Sequence, residues 1–150
     1  MCIRDRLAND HPYPAISGAH AALAALRAAG HSLWIVTKRS RRRLFDRLGQ
    51  AGLPVQLFDG IYPAETQPRL KPDPECFTPV WTALGGRDTR AVYVGDRHED
   101  RQAAHAAGIR FFAVLTGPEV TCGFPGDLAE DAVIRSVAEL PTRLTSKLDT

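Results

Sequence analysis

Val92-Tyr93-Val94-Gly95-Asp96-Arg97-His98-Glu99-Asp100 is the stretch on which the reading of this chain turns. An apolar run ends in a glycine and passes straight into an acidic cluster. From Arg101 to Ala107 the pattern becomes helical and alanine-rich, and it stops at Gly108. The spacing predicts a buried strand, a tight turn and a helix. Carboxylates carried at the C-terminal end of such a strand stand at the edge where open α/β sheets bind ligands. Two of them, Asp96 and Asp100, are suited to hold a hard cation such as Mg2+, which prefers oxygen ligands.

The same alternation extends outward. Ile16 to Ala29 has apolar residues at helical spacing, with Ser17 as the expected cap and Gly30 as the stop. Ser32 to Val36 reads as a strand ending at Thr37. Ser40 to Ala51 reads as a helix closed by Gly52. A second strand falls within Val55 to Tyr62. Lys71-Pro72-Asp73-Pro74 is a rigid turn, because proline restricts its own φ and the residue before it. Glu75 to Leu84 is expected to form one helix closed by Gly85-Gly86. Ala91 to Val94 and Arg110 to Leu115 are the third and fourth strands, and Thr116 to Asp127 is a Gly/Pro-rich loop. Ala132 to Ile134 is a short last strand, and Ser136 to Leu144 a last helix. Strands alternating with helices predict an α/β domain with a doubly wound parallel sheet and right-handed crossovers. The first residues match no element, so 1–11 is expected to be a tail and 12–150 the domain.

The bulk properties set limits on function. A chain of 150 residues, 44% hydrophobic and 24% charged, has the composition of one soluble domain. Its net charge of +2 is too small to argue for nucleic acid as an obligatory partner. No apolar run is long enough for a membrane span. Cys2, Cys76 and Cys122 lack metal-like spacing and fit a reducing cytoplasm. Oligomeric state is not legible here.

Three strand ends therefore carry chemical groups: Thr37, Lys71, and Asp96 with Asp100. A parallel sheet lines them along one edge. A hydroxyl before a helix N-terminus suits a phosphate oxygen. A lysine supplies a compact positive charge and carboxylates supply a metal site. These are parts for phosphoryl transfer, where catalysis is mostly positioning and charge neutralisation.

On these residues the chain resembles the haloacid dehalogenase-like (HAD) phosphatases, and most closely their phosphoglycolate phosphatase-like branch. Pro12-Tyr13-Pro14 and the helix after it look like the segment that re-enters the core after the family's helical cap. Trp34-Ile35-Val36-Thr37-Lys38 resembles the second family motif, which implies a phosphate-binding hydroxyl at Thr37 and a substrate contact at Lys38. Lys71-Pro72-Asp73-Pro74 resembles the third, which implies that Lys71 pairs the phosphate and the nucleophilic carboxylate. Val94-Gly95-Asp96 with Asp100 resembles the fourth, which binds Mg2+. The resemblance covers residues 12–118. It implies a Mg2+-dependent hydrolase acting on a small phosphorylated substrate, with a HAD-like Rossmannoid core.

Departures from the family pattern shape the expectation. The first motif, an apolar strand ending in Asp-x-Asp whose first aspartate is phosphorylated, has no counterpart: the sequence contains no Asp-x-Asp. Asp5 and Asp10 follow no apolar run. The cap is missing too. Arg97 stands where the family usually has Ser or Thr, and Lys38 where this branch often has Asn, and both add positive charge near the phosphate site. The expectation is the C-terminal part of a longer phosphatase, without its first, central strand and its cap, and inactive alone. That strand would lie between Ser32–Val36 and Ala91–Val94, so two bare edges should face a gap. The alternative is a non-catalytic HAD-like module that binds a phosphorylated ligand or a protein partner. A phospho-receiver domain fits poorly, because it needs an acidic pair after the first strand and a phosphoacceptor at the third.

Blander readings accompany these. Asp96 and Asp100 are also good caps for a helix starting near Glu99. Glu99 itself reads as a solvated first-turn residue, and His98 as an exposed turn residue. His20, His31 and His105 have no paired base. Trp34 and Trp81 read as packing residues. Arg39, Arg41, Arg42 and Arg43 oppose the dipole of the helix they start, so they form a solvated face or attract anions. Cys76 lies at a helix start, where a thiol pKa is often lowered, yet it has no base beside it and reads as structural.

Overall fold

Residues 16–115 and 132–145 are described by the computed structural model of this chain. Residues 1–15, 116–131 and 146–150 are not, so the expected tail, Pro12-Tyr13-Pro14 and most of the Thr116–Asp127 loop lie outside the described residues. Helix α1 (Ala19–Ala28) buries Ala22 and Leu26 and ends at Gly30, whose φ of 89° lets the chain turn back. Ser17 does not cap it: the capping position is Gly18 at φ 80°, with no side-chain cap bond. Helix α2 (Arg41–Gln50) buries Leu44 and Leu48 at helical spacing and starts at Ser40, whose hydroxyl accepts from the Arg43 N–H at 3.5 Å.

The expected Glu75–Leu84 helix is two pieces. Pro74–Phe77 is a 3-10 turn and α3 runs Thr78–Leu84. Pro79 has no N–H to give the Glu75 carbonyl, and its ring crowds that carbonyl, so the Thr78 N–H takes it in the shorter pattern. The last helix divides likewise, into a 3-10 turn at Val137–Glu139 and α5 (Leu140–Thr145), with Pro141 in its first turn. Between them in sequence, α4 (His98–Ala106) follows the acidic turn.

The strands are β1 (Trp34–Val36), β2 (Gly60–Tyr62), β3 (Val92–Gly95), β4 (Arg110–Val114) and β5 (Val133–Ile134). All pairings among the described strands are parallel. Side chains alternate between two apolar layers. Val36 and Tyr93 face Cys76, Phe77 and Val80, and Ala103 and Ala107 of the α4 region. Val92, Val94, Phe112 and Val114 face Leu26 of α1 and Leu140 of α5. Helices on both faces make the sheet doubly wound, as the alternation predicts.

Among the described residues the strands form two sheets, β1-β2 and β3-β4-β5. The break falls between β1 and β3, where the family resemblance implies the gap. The Leu33 carbonyl accepts from Asp59 and the Thr37 N–H donates to Tyr62, so both face β2. In a parallel ladder the alternate residues, Trp34 and Val36, then turn their backbone groups toward the break. The Val36 carbonyl there accepts from the Tyr93 hydroxyl at 3.2 Å and from Lys71 Nζ at 3.4 Å. Among the described residues, side chains rather than a strand meet that edge.

Candidate active site

Asp100 organises the C-terminal edge. It is 4% exposed, the buried charged residue of the described core. Its Oδ2 accepts from the backbone N–H groups of Asp96 at 3.3 Å and Arg97 at 3.1 Å, closing the turn between β3 and α4. Its Oδ1 accepts from Lys71 Nζ at 2.5 Å and lies 3.3 Å from the Tyr93 hydroxyl, whose single proton it shares with the Val36 carbonyl. Gly95 makes the approach possible, because a Cβ there would lie 2.6 Å from the Asp100 Cβ. One oxygen of Asp100 thus caps the turn, as the helix-cap reading has it, and the other holds a lysine.

Lys71 sits on the turn before the Pro74–Phe77 segment, and its Nζ meets Asp100, the Tyr93 hydroxyl at 2.8 Å and the Val36 carbonyl. Those contacts use all of the ammonium's N–H groups. Burial, reinforced by the Asp100 charge, pushes the Tyr93 phenol far above its usual value, so the hydroxyl stays protonated. Cys76, beneath this cluster and fully buried, is pushed up to about 11, chiefly by burial. Desolvation outweighs the lowering effect of the nearby Lys71 charge, and the structural reading stands.

Thr37 follows β1. Its hydroxyl oxygen accepts from the Arg39 N–H at 3.2 Å, which leaves its proton to donate. Gln67 pins this strand end, its amide donating to the carbonyls of Thr37 at 2.7 Å and Tyr62 at 2.8 Å. Lys38 turns to Glu99 instead, Nζ to Oε2 at 2.8 Å, and Arg97 lies 4.0 Å from the same carboxylate. Glu99 is therefore an ion-pair partner rather than a solvated residue. Glu65 accepts from the Arg41 N–H with both oxygens at 3.0 Å, so a carboxylate from outside α2 offsets the basic start of that helix.

A cation site can be tested against these donors. Among the described residues no three His, Cys, Asp or Glu side chains gather into a metal cage. Two carboxylates on one turn nevertheless suit Mg2+, which is commonly held by one or two carboxylates, water and a substrate phosphate. Asp100 has both oxygens committed to protein donors, which makes Asp96 the better direct ligand.

The sequence pattern of the family described as haloacid dehalogenase-like hydrolase matches residues 3–114. The chain belongs to this family. A phosphoglycolate phosphatase of Cupriavidus necator is 35% identical over 131 residues, 85% of this chain and 54% of that protein. One from Cereibacter sphaeroides is 37% identical over 100 residues, 67% of this chain and 44% of its own length. The chain thus spans about half the length of the curated relatives it matches. Among solved structures, CbbY from Rhodobacter sphaeroides, crystallised with xylulose-(1,5)bisphosphate, superimposes with a TM-score of 0.74 at 23% identity, covering 90% of this chain and 60% of that one. The α/β HAD-like fold is shared.

For a haloacid dehalogenase-like hydrolase, the sequence finds Lys71 and Asp100 as residues that the fold brings into contact. Thr37 and Asp96 end β1 and follow β3 on the same edge. Lys38 is at that edge but tied to Glu99. Tyr93, Gln67 and Glu65 carry the arrangement and are not singled out by the sequence, and Glu99, read there as solvated, carries it as an ion-pair partner. Tyr93 had a visible mark, a phenol inside an apolar strand whose hydroxyl needs a buried partner. The others are paired with residues distant along the chain and left no local mark.

Proposed function

We propose that this chain carries the phosphate- and Mg2+-binding part of a phosphate monoester hydrolase, similar to phosphoglycolate phosphatases. The observation that carries the reading is the buried Lys71–Asp100 pair at the C-terminal edge, beside Asp96 and Thr37. Thr37 donates its hydroxyl proton to a phosphate oxygen. Lys71 exchanges its longest contact, 3.4 Å to the Val36 carbonyl, for another. Asp96 holds Mg2+, and Asp100 fixes the turn that aims Asp96. Bound there, Mg2+ supplies charge neutralisation for the transferring phosphoryl group. An attacking carboxylate on an Asp-x-Asp is not encoded in these 150 residues, so turnover by this chain alone is not expected.

Calorimetry with Mg2+ and inorganic phosphate, beside an assay of aryl phosphate hydrolysis, tests this. Mg2+-dependent phosphate binding that Lys71→Met and Asp96→Asn both abolish is the expected result. No phosphate binding with or without Mg2+ overturns the phosphate-site reading, and hydrolysis by the unaltered chain overturns the claim of inactivity. A binding module without turnover is a second reading, favoured by the missing Asp-x-Asp. Phosphate binding retained when Asp96 is changed to Asn, with no Mg2+ dependence, would favour it.

A further inference from the structure

We propose that Gln67 is a positioning residue, which sets the direction in which Thr37 presents its hydroxyl to phosphate. This rests on the phosphate-site reading above and adds to it a residue from a separate turn. Gln67 closes the 3-10 turn at Ala64–Thr66, beyond the end of β2. Its amide lies across the ends of two paired strands, donating to the Thr37 carbonyl at 2.7 Å and the Tyr62 carbonyl at 2.8 Å. The last register pair of that ladder is Val36 with Tyr62, so the amide takes over where the ladder stops. Thr37 also donates its own N–H to the Tyr62 carbonyl at 3.1 Å. Both backbone groups of Thr37 are therefore held, and with them the direction of its side chain. The same turn grips the rest of the loop. The Ala64 N–H donates to the Arg39 carbonyl at 2.9 Å, and Glu65 accepts from the Arg41 N–H. The Arg39 N–H in turn reaches the Thr37 hydroxyl oxygen at 3.2 Å, so the shape of this loop fixes the hydroxyl itself.

The amide does more here than fill space. Its two N–H groups lie in one plane, and each carbonyl takes one of them. Turned the other way, the amide would set its oxygen against two acceptors, so its orientation is determined. Its Oε1 is buried with no hydrogen-bond partner among the described residues. A buried acceptor left unpaired is a cost to folding that an apolar side chain of the same shape does not carry. The two strand-end bonds offset that cost, and no apolar side chain can make them. A methionine at this position would fill the same space and leave the Thr37 carbonyl free to turn.

The test titrates inorganic phosphate calorimetrically into the 150-residue chain in saturating Mg2+, as a double-mutant cycle. Gln67→Met should weaken binding about three- to tenfold, the scale of one hydrogen bond. In a Thr37→Val background, where the hydroxyl is gone, the same change should have an effect of less than about twofold. Gln67→Glu supplies a pH readout that a purely structural role would not move. Its carboxyl, facing two carbonyls, is pushed above the ordinary range. Protonated, it donates to one of them; ionised, it repels both. Its phosphate affinity relative to the parent at the same pH should therefore fall about threefold or more between about pH 5 and pH 8. Equal losses from Gln67→Met in the parent and in the Thr37→Val background overturn the proposal, since Gln67 would then act on the fold and not through Thr37. So does a folded Gln67→Met variant that binds phosphate as the parent does, or a Gln67→Glu to parent ratio that does not change with pH. If Gln67→Met does not fold, the Gln67→Glu ratio decides by itself. Absence of phosphate binding by the parent overturns the phosphate-site reading itself, a result distinct from all of these.

Discussion

Lys71→Met isolates the interaction on which the edge depends. The side chains of Lys71 and Asp100 are 9% and 6% exposed, so the pair is shielded from water. Removing the lysine leaves a buried carboxylate without its charge partner, a change that typically costs about 3–5 kcal/mol. Asp100 would keep two backbone N–H groups on Oδ2 and the Tyr93 hydroxyl near Oδ1. Those remaining bonds place the expected cost near the lower end, about 3 kcal/mol. Methionine keeps the packing of the lysine stem, so loss of apolar contact adds little. The double variant Lys71→Met with Asp100→Asn has no uncompensated charge, and should recover about half of the loss. The assay is urea denaturation followed by the fluorescence of Trp34 and Trp81, in sucrose to favour the compact state. A Lys71→Met variant within about 0.5 kcal/mol of the parent, or a double variant no more stable than Lys71→Met, would refute the reasoning, because either result means the carboxylate does not depend on the lysine.

Other consequences follow from the same geometry. Gly95→Ala forces a Cβ to 2.6 Å from the Asp100 Cβ, and overpacking of this kind costs about 1–3 kcal/mol; unchanged urea stability would show that the turn yields freely. Cys76 keeps its proton up to about 11 when folded but ionises from about 9.0 when unfolded. Its stabilisation is therefore complete below pH 9 and lost as pH rises toward 11, a fall that Cys76→Ala should flatten in urea titrations across that window. The break between β1 and β3 leaves backbone groups unpaired by any described strand, so thermal unfolding should be broad and accompanied by association. A sharp, reversible transition from a monomer in calorimetry and light scattering would contradict that expectation.

Much of the edge was legible because its code is local. The strand-turn-helix at Val92–Ala106 follows from an apolar run, a glycine and an acidic first turn, and each of these acts within a few residues of itself. Pro79 shows a local rule that the helical periodicity of Glu75–Leu84 overrode: the apolar spacing was right, and the missing N–H still divided the element. Cys76 shows the opposite case. It lies in the 3-10 turn before α3 rather than at the start of a Glu75–Leu84 helix, and the sign of its pKa shift depends on how much water the fold excludes, which position alone does not give.

The sequence by itself determined the α/β order, Thr37 and Asp96 at the ends of β1 and β3, Lys71 on a proline-bounded turn and Asp100 at a helix start. Hydrophobic period, glycine stops and short motifs are properties of neighbouring residues, so they survive in a linear reading. Only the tertiary structure decided which charges meet. Lys71 is paired with Asp100 across 29 residues and Lys38 with Glu99 across 61, while Tyr93 turns its hydroxyl to the Val36 carbonyl 57 residues away. Such pairings arise when packing brings distant strand ends to one edge and takes them out of water. A buried charge then needs a partner, and folding determines which one is within reach.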